Sequence, residues 1–364
     1  MKMTKKALTA MIAVSIAATT LPAAAMVSNL TNTLTSSNST GTNNAAPQIG
    51  TTTTPQTTAP TATSETGAQT AAPAVQAEPS PASMFTTEDV DGGVAITGFN
   101  IAEGDPTDIV IPQTIGGKTV VSLKSTNGTG RSMTGANQIT SLDTSNCTSL
   151  SIGDYAFSGC SGITGSVDLS KCTSIGNSAF SGCSGITKIT WSTNIDTIPY
   201  SCFNGCTNLK TFNSETDGEC NLSEITSVGN YAFSSCESIT KVTWSTSIDT
   251  IPESCFANCT SLKTFNSDTE GECNLSEITS VGNYAFSGCE SIAGSIDLSS
   301  CTSIGLRAFN DCTNLTPGIS TKATTVGQFA FSNCPYVTIQ ANSEDALASY
   351  CSGIADSGDL TGLS

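Results

Sequence analysis

The pair Phe-x-x-Cys recurs eight times along the chain, at Phe157/Cys160, Phe180/Cys183, Phe203/Cys206, Phe233/Cys236, Phe256/Cys259, Phe286/Cys289, Phe309/Cys312 and Phe331/Cys334. The Phe-to-Phe steps are 23, 23, 30, 23, 30, 23 and 22 residues. Self-similarity at a period in the low twenties is the signature of a stacked-repeat architecture. Within one unit the apolar positions are Cys183, Ile186, Ile189, Trp191, Ile195, Ile198, Cys202 and Phe203, and Cys206 opens the next. Ile189-Thr190-Trp191 alternates in, out, in, as a short strand does, and Ile195 and Ile198, three apart, suit the return side of a coil. So short a unit cannot bury its own apolar side chains. Stacked in parallel at about 4.8 Å per strand, each coil gains a floor and a ceiling. The expected fold is a repeat solenoid of about ten coils by that spacing, with short parallel strands, irregular connections and little helix.

Two of the units are longer, and they carry nearly the same insertion. Residues 207–239 match residues 260–292 at all but four of 33 positions, at a displacement of 53. The differences fall at 208/261, 215/268, 217/270 and 235/288, and two of them exchange Glu with Asp. A duplicated pair of coils is expected to place both inserted loops on one side, two coils apart.

The pattern resembles the BspA-like, or Treponema pallidum, class of bacterial-surface leucine-rich repeat. Residues 236–258 carry it as Cys236, Ile239, Val242, Trp244, Ile248, Ile251 and Phe256, with Cys255 where the family has Ala. Val94-Ala95-Ile96-Thr97-Gly98-Phe99 and Ile109-Val110-Ile111-Pro112 through Val120 look like that family's opening segment. The resemblance spans about residues 93–340. It departs at Trp191 and Trp244, which replace a strand aliphatic, and in units such as 165–169 whose strand slides by one residue. It implies a leucine-rich-repeat fold and a role at the cell surface, binding host extracellular-matrix proteins or other cells.

Composition narrows the chemistry. The 364 residues include no histidine, 13 Lys plus Arg, 30 Asp plus Glu and 16 Cys. Without histidine there is no Ser-His or Cys-His pair, no His-ligated zinc and no imidazole acid or base. A formal charge of −17 disfavours nucleic acid and anionic bilayers as partners. No glycine-rich phosphate loop or nucleophile elbow is present, and no pair of carboxylates is set against an apolar wall, so no enzymatic activity is expected.

The termini read differently from the repeats. Residues 1–25, with Lys2, Lys5 and Lys6 before an apolar run and Pro22-Ala23-Ala24-Ala25, have the layout of a secretory signal peptide. Removing it leaves 10 basic residues (13 − 3) against 30 acidic ones, a charge of −20. Residues 26–83 are rich in Thr, Ser, Ala and Pro, too polar to offset their ordering entropy, and read as a stalk. The repeats fill residues 84–340. In residues 341–364, Ser343-Glu344-Asp345 opens a short helix that would cover the end of the stack, followed by a polar tail. The implied location is secreted or cell-surface associated, with no membrane insertion after signal removal.

Four groups of residues are candidates for specific roles. The cysteine column from Cys160 to Cys334 is expected to hold free buried thiols, because equivalent residues on stacked coils point their Cβ atoms in parallel, whereas a disulfide needs convergence. Cys147, Cys172 and Cys301 read as core, and Cys220, Cys273 and Cys351, placed on loops or the cap, are the better disulfide candidates. Asn213, Glu215, Asp217 and Glu224, repeated as Asn266, Asp268, Glu270 and Glu277, approximate a calcium loop. The misfit of Asn in first place and of the longer Glu side chains favours a solvated acidic hairpin, and no firm cofactor is expected. Trp191 and Trp244 read as core. On the outward strand face, Asp168, Lys188, Thr190, Lys241, Thr243 and Asp297 form a hydroxyl-rich, charged ladder suited to binding proteins. Extracellular or surface proteins are therefore the expected partners, with glycans or a cell-wall role as the alternative.

Overall fold

In the computed structural model, residues 78–128, 130–294, 296–315, 319–321, 323–334 and 339–341 are described. The segments read as a signal peptide and a helical cap, most of the expected stalk, and Cys351 lie outside them. Within the described residues there is no α-helix, only the 3-10 turns Ala82–Met84 and Ala136–Gln138 among short strands. Ser80 already bonds Val110 through both backbone and hydroxyl, so residues 80–83, stalk-like by composition, are part of the fold.

Each coil contributes a strand to one face and a second, shorter strand to the return side. On the first face Gly165–Asp168, Ile186–Thr190, Thr211–Phe212, Glu219–Asn221, Lys241–Thr243 and Thr264–Phe265 form one parallel sheet in that order. The bridges Phe265↔Cys273 and Asn274↔Asp297 continue it to Asp297–Leu298, Ile319–Thr321 and Ile339–Ala341. On the return side, strands such as Thr197–Ile198 and Ser227–Val228, then Thr250–Ile251, Ser280–Val281, Ser303–Ile304 and Thr325–Val326, stack in parallel. At the amino-terminal end the antiparallel strand Phe85–Val90 covers the open edge of Gly93–Phe99 and presents Glu88 and Asp89 outward, which blunts edge-to-edge association. The one-residue slide in the strand at 165–168 is absorbed by a register shift between Ile186 and Lys188, leaving Val167 opposite Ile189 and both buried.

The core is two columns deep. The eight phenylalanines stack face to face from Phe157 to Phe331, with ring centroids 5.3–5.9 Å apart and planes within 18° of parallel. Beside them run the cysteines. Each thiol from Cys183 onward donates to the carbonyl of the phenylalanine one coil back, as in Cys183 Sγ to Phe157 O at 3.0 Å and Cys334 Sγ to Phe309 O at 2.9 Å. That carbonyl also accepts the amide of its own coil's cysteine (Cys160 N to Phe157 O, 3.1 Å). A thiol is the one small, largely apolar side chain that fills this site and still supplies a donor. Trp191 and Trp244 are core, as their pattern implies: each indole N–H donates at 2.9 Å to a carbonyl four residues on, at Ile195 and Ile248.

All fifteen described cysteines are free and buried. This agrees with the parallel-Cβ argument for the column and corrects the expectation for Cys220 and Cys273. Neither lies on a loop. Cys220 sits inside the strand Glu219–Asn221, opposite Phe212 and Val242, and Cys273 bridges Phe265, both facing the core. The insertions are therefore extra rungs: after Phe212 the chain leaves the face, turns through residues 213–218 and returns parallel to itself. Left-handed Asn213 (φ 48°) and Gly218 (φ 85°) make so short a parallel return possible.

Candidate interaction surface

The outward side chains of the first face fall into two rows. In one, Ser166 pairs with Lys188, Lys188 with Thr211, Glu219 with Lys241 and Lys241 with Thr264. In the other, Asp168 pairs with Thr190 and Asn221 with Thr243. The loops at 213–218 and 266–271 both rise from this face, as the duplication implies, and fold back over the first row. They bury Thr211 and Thr264, whose hydroxyls meet Asp217 Oδ1 (3.4 Å) and the amide of Gly271 (2.8 Å).

The lysines are engaged by these loops. Lys188 Nζ lies 3.1 Å from Glu215; Lys241 Nζ lies 3.5 Å from Glu219 and 3.9 Å from Asp268. Glu215 and Asp268 are fully solvated, so those contacts are weak and exchange readily with a partner's charges. Glu219 is different. Its side chain is 14% exposed and accepts the hydroxyls of Ser214 at 2.5 Å and Thr243 at 2.9 Å. Burial pushes its carboxyl up, but the two hydroxyls and the Lys241 ammonium outweigh that and hold it below the ordinary value of 4.5. A depressed carboxyl contributes stability above the unfolded value that is lost as pH falls through the folded one. Amide protection in residues 213–218, taken relative to the intrinsic exchange rate at each pH, is therefore expected to fall below about pH 4.5, and Glu219→Gln should remove most of that pH dependence. Equal acid response in the variant would show that Glu219 does not anchor the loop.

Between the two loops lies a cleft of about 460 Å³, floored by Lys241, Lys263 and Thr240 and walled by Thr216 and Asp217 of one loop and Ser267, Asp268 and Glu270 of the other. A smaller one, about 250 Å³, lies on the other side of the first loop and includes Lys188, Thr190, Ser214 and Glu215.

Of the six outward residues singled out from sequence, the structure gathers Lys188 with Thr190, and Lys241 with Thr243 through Glu219. Asp168, beside Thr190, and Asp297, further along the face, are exposed, and each spends an oxygen on the amide two residues on (Ser170 and Ser299, both 2.8 Å). Asp143, Asn221 and Asn274 do the same, so these positions close the strand with an Asx turn. Sequence reasoning missed Glu219 and Lys263. The alternation Glu219-Cys220-Asn221-Leu222, out, in, out, in, was the available signal.

Among the described residues no three His, Cys, Asp or Glu side chains come together as a metal site. The calcium candidates do not converge: Glu215 and Asp268 reach lysines and Asp217 a threonine, and Glu224 and Glu277 are exposed in the turns that lead into the return strands Ser227–Val228 and Ser280–Val281. Among the described residues, no helix is long and apolar enough to cross a membrane.

Comparison with known proteins places this geometry. No curated protein matches the chain. Among solved structures it is similar to a leucine-rich repeat protein of T. pallidum (17% identity over 44% of this chain and 91% of that one, TM-score 0.26). It is also similar to a leucine-rich cell surface protein of Faecalibacterium prausnitzii (19%, 76% and 98%, 0.30) and to the pneumococcal vaccine antigen PcpA (16%, 72% and 86%, 0.36). The model of the BspA type leucine-rich repeat region matches in six copies over residues 134–220 and 219–315, half of the chain, and with the stacked parallel strands it shows that this protein belongs to the BspA type leucine-rich repeat family.

Proposed function

We propose that the protein is a secreted or cell-surface adhesion module that binds proteins through the first strand face, centred on the cleft between its two duplicated loops. The observation that carries this reading is the cleft itself. Every residue lining it is polar, both signs of charge are present, and the acids at its rim are solvated, so a partner can displace their weak ion pairs. Such a surface recognises a mixed-charge protein epitope. It does not suit catalysis, since no carboxylate in it faces an apolar wall. Families of this kind act in surface protein–protein interaction, and export follows from the reading of residues 1–25.

Surface plasmon resonance against immobilised fibronectin and fibrinogen tests the proposal. Full-length protein is expected to bind at least one, with an on-rate that falls as salt rises. Replacing Lys241 and Lys263 together by Ala should weaken binding about tenfold while leaving the melting temperature within a degree or two. Unchanged binding in the double variant would place the interface elsewhere.

A further inference from the structure

A different edge of the coils carries a row of polar and aromatic side chains. Three residues before each core phenylalanine comes an exposed or half-exposed position, occupied in turn by Asp154, Asn177, Tyr200, Asn230, Glu253, Asn283, Leu306 and Gln328. The residue after it is left-handed in every coil, with φ between 50° and 61°. Glycine would adopt that conformation without strain, yet none of the eight coils has it. Tyr155, Tyr231, Tyr284, Arg307 and Phe329 stand there instead, at a backbone cost of about 1–2 kcal/mol each. Backbone hydrogen bonds of 2.8–2.9 Å run from coil to coil along this corner, as from Tyr155 N to Asn177 O, Ser178 N to Tyr200 O and Tyr231 N to Glu253 O. The side chains project from a fixed rail.

Tyr200 is 48% exposed, the one large apolar side chain so exposed among the described residues. Its ring meets that of Tyr231 edge-on at 5.7 Å, and Tyr231 Oη donates to Glu253 at 3.0 Å. Tyr155 and Tyr200 bracket a groove of about 330 Å³ that also takes in Asp154, Asn177 and Ser125. Further along, the Arg307 guanidinium sits 5.2 Å over the Phe329 ring.

We propose that this strip binds a neutral, extended polysaccharide lying along the stack. Aromatic rings offer flat faces to the C–H surfaces of pyranose rings, while side-chain amides and carboxylates between them meet adjacent hydroxyls. Tyr155 to Tyr200 and Tyr231 to Tyr284 are each two coils apart, about 10 Å at about 4.8 Å per coil. That is close to one disaccharide of a β-1,4-linked chain. The strip contains Asp154 and Glu253 against Arg307 and no lysine, so it does not attract a polyanion. It is one or two side chains wide, too narrow for the roughly 800 Å² per partner of a stable protein interface.

Isothermal titration of the full-length protein with cellobiose, cellohexaose and chitohexaose tests this. Binding is expected for at least one hexaose, stronger than for its disaccharide, because a longer chain spans more aromatic plates. Tyr200→Ala and Tyr284→Ala should each weaken it about tenfold, with the circular dichroism spectrum unchanged, and Lys241→Ala/Lys263→Ala should leave it unaffected. No heat with either hexaose at millimolar concentration overturns the proposal. So does binding that ignores both tyrosine substitutions, or a loss of protein-partner binding alone in Tyr200→Ala. Because the lysine variants report on the other face, failure here is separable from failure of the adhesion reading.

Discussion

Raising the pH through 9 is expected to unfold the coils. Burial pushes the Cys147 and Cys160 thiols up to about 11 and those of Cys172, Cys206, Cys259 and Cys273 up to about 12. Cys183, Cys202, Cys220, Cys236, Cys255, Cys289 and Cys312 are likewise raised well above the ordinary value, burial again being the first cause. In the unfolded chain a thiol titrates near 9.0. Above that pH the unfolded state holds fewer protons than the folded one, so stability, fully present below 9, falls as pH rises. Each thiol contributes a slope of about 1.4 kcal/mol per pH unit, and ten acting together about 14, comparable with the whole stability of a domain. Loss of near-ultraviolet dichroism is expected between about pH 9 and 10, coincident with thiolate absorbance and reversible under reductant. With no histidine in the chain, no side chain of ordinary pKa imposes a slope from about pH 5 to 8. Retention of the native spectrum above about pH 11, or thiolate appearing well before structure is lost, would contradict the expectation.

The second large effect concerns the phenylalanine stack. Phe203 is stacked between Phe180 at 5.9 Å and Phe233 at 5.7 Å, with the edges of Trp191 and Phe212 against it. Phe203→Ala is expected to cost about 3–5 kcal/mol. In a repeat array each coil is stabilised mainly by its two neighbours, so a weak junction divides the array. The single denaturant transition should broaden or split into two, for the coils before and after the site. Phe331, which among the described residues stacks on Phe309 alone, at 5.3 Å, should cost less and leave one transition. Equal losses and unchanged cooperativity in both variants would mean that the stack is not what couples the coils.

The repeat and its two inward columns were legible because one period governs them: Phe, Cys, Ile195 and Ile198 face the core wherever the unit recurs. The loops were not, for a local reason. Asn213 to Gly218 reads as an acidic turn, and nothing in its composition says that the chain re-enters the sheet parallel to itself, so Cys220 and Cys273 looked peripheral. Asp168 and Asp297 looked available because alternation shows that a side chain points outward, not whether it bonds its own backbone; the serine two residues on was the clue. The tyrosine strip was hidden because its members alternate between two adjacent positions of the unit and share them with Asn, Ser and Glu. Only the left-handed corner brings both positions to one edge.

The duplicated segment has a further consequence. Translation by 53 residues carries one loop, its strand rungs, its phenylalanines and its thiol-to-carbonyl bonds onto the next set, as a lattice vector carries one cell onto another. The upper surface of such a cell is complementary to its own lower surface. Packing within the array therefore sets no preferred number of cells, and the coil count is bounded only where the sequence departs from the repeat, as it does at the antiparallel strand Phe85–Val90.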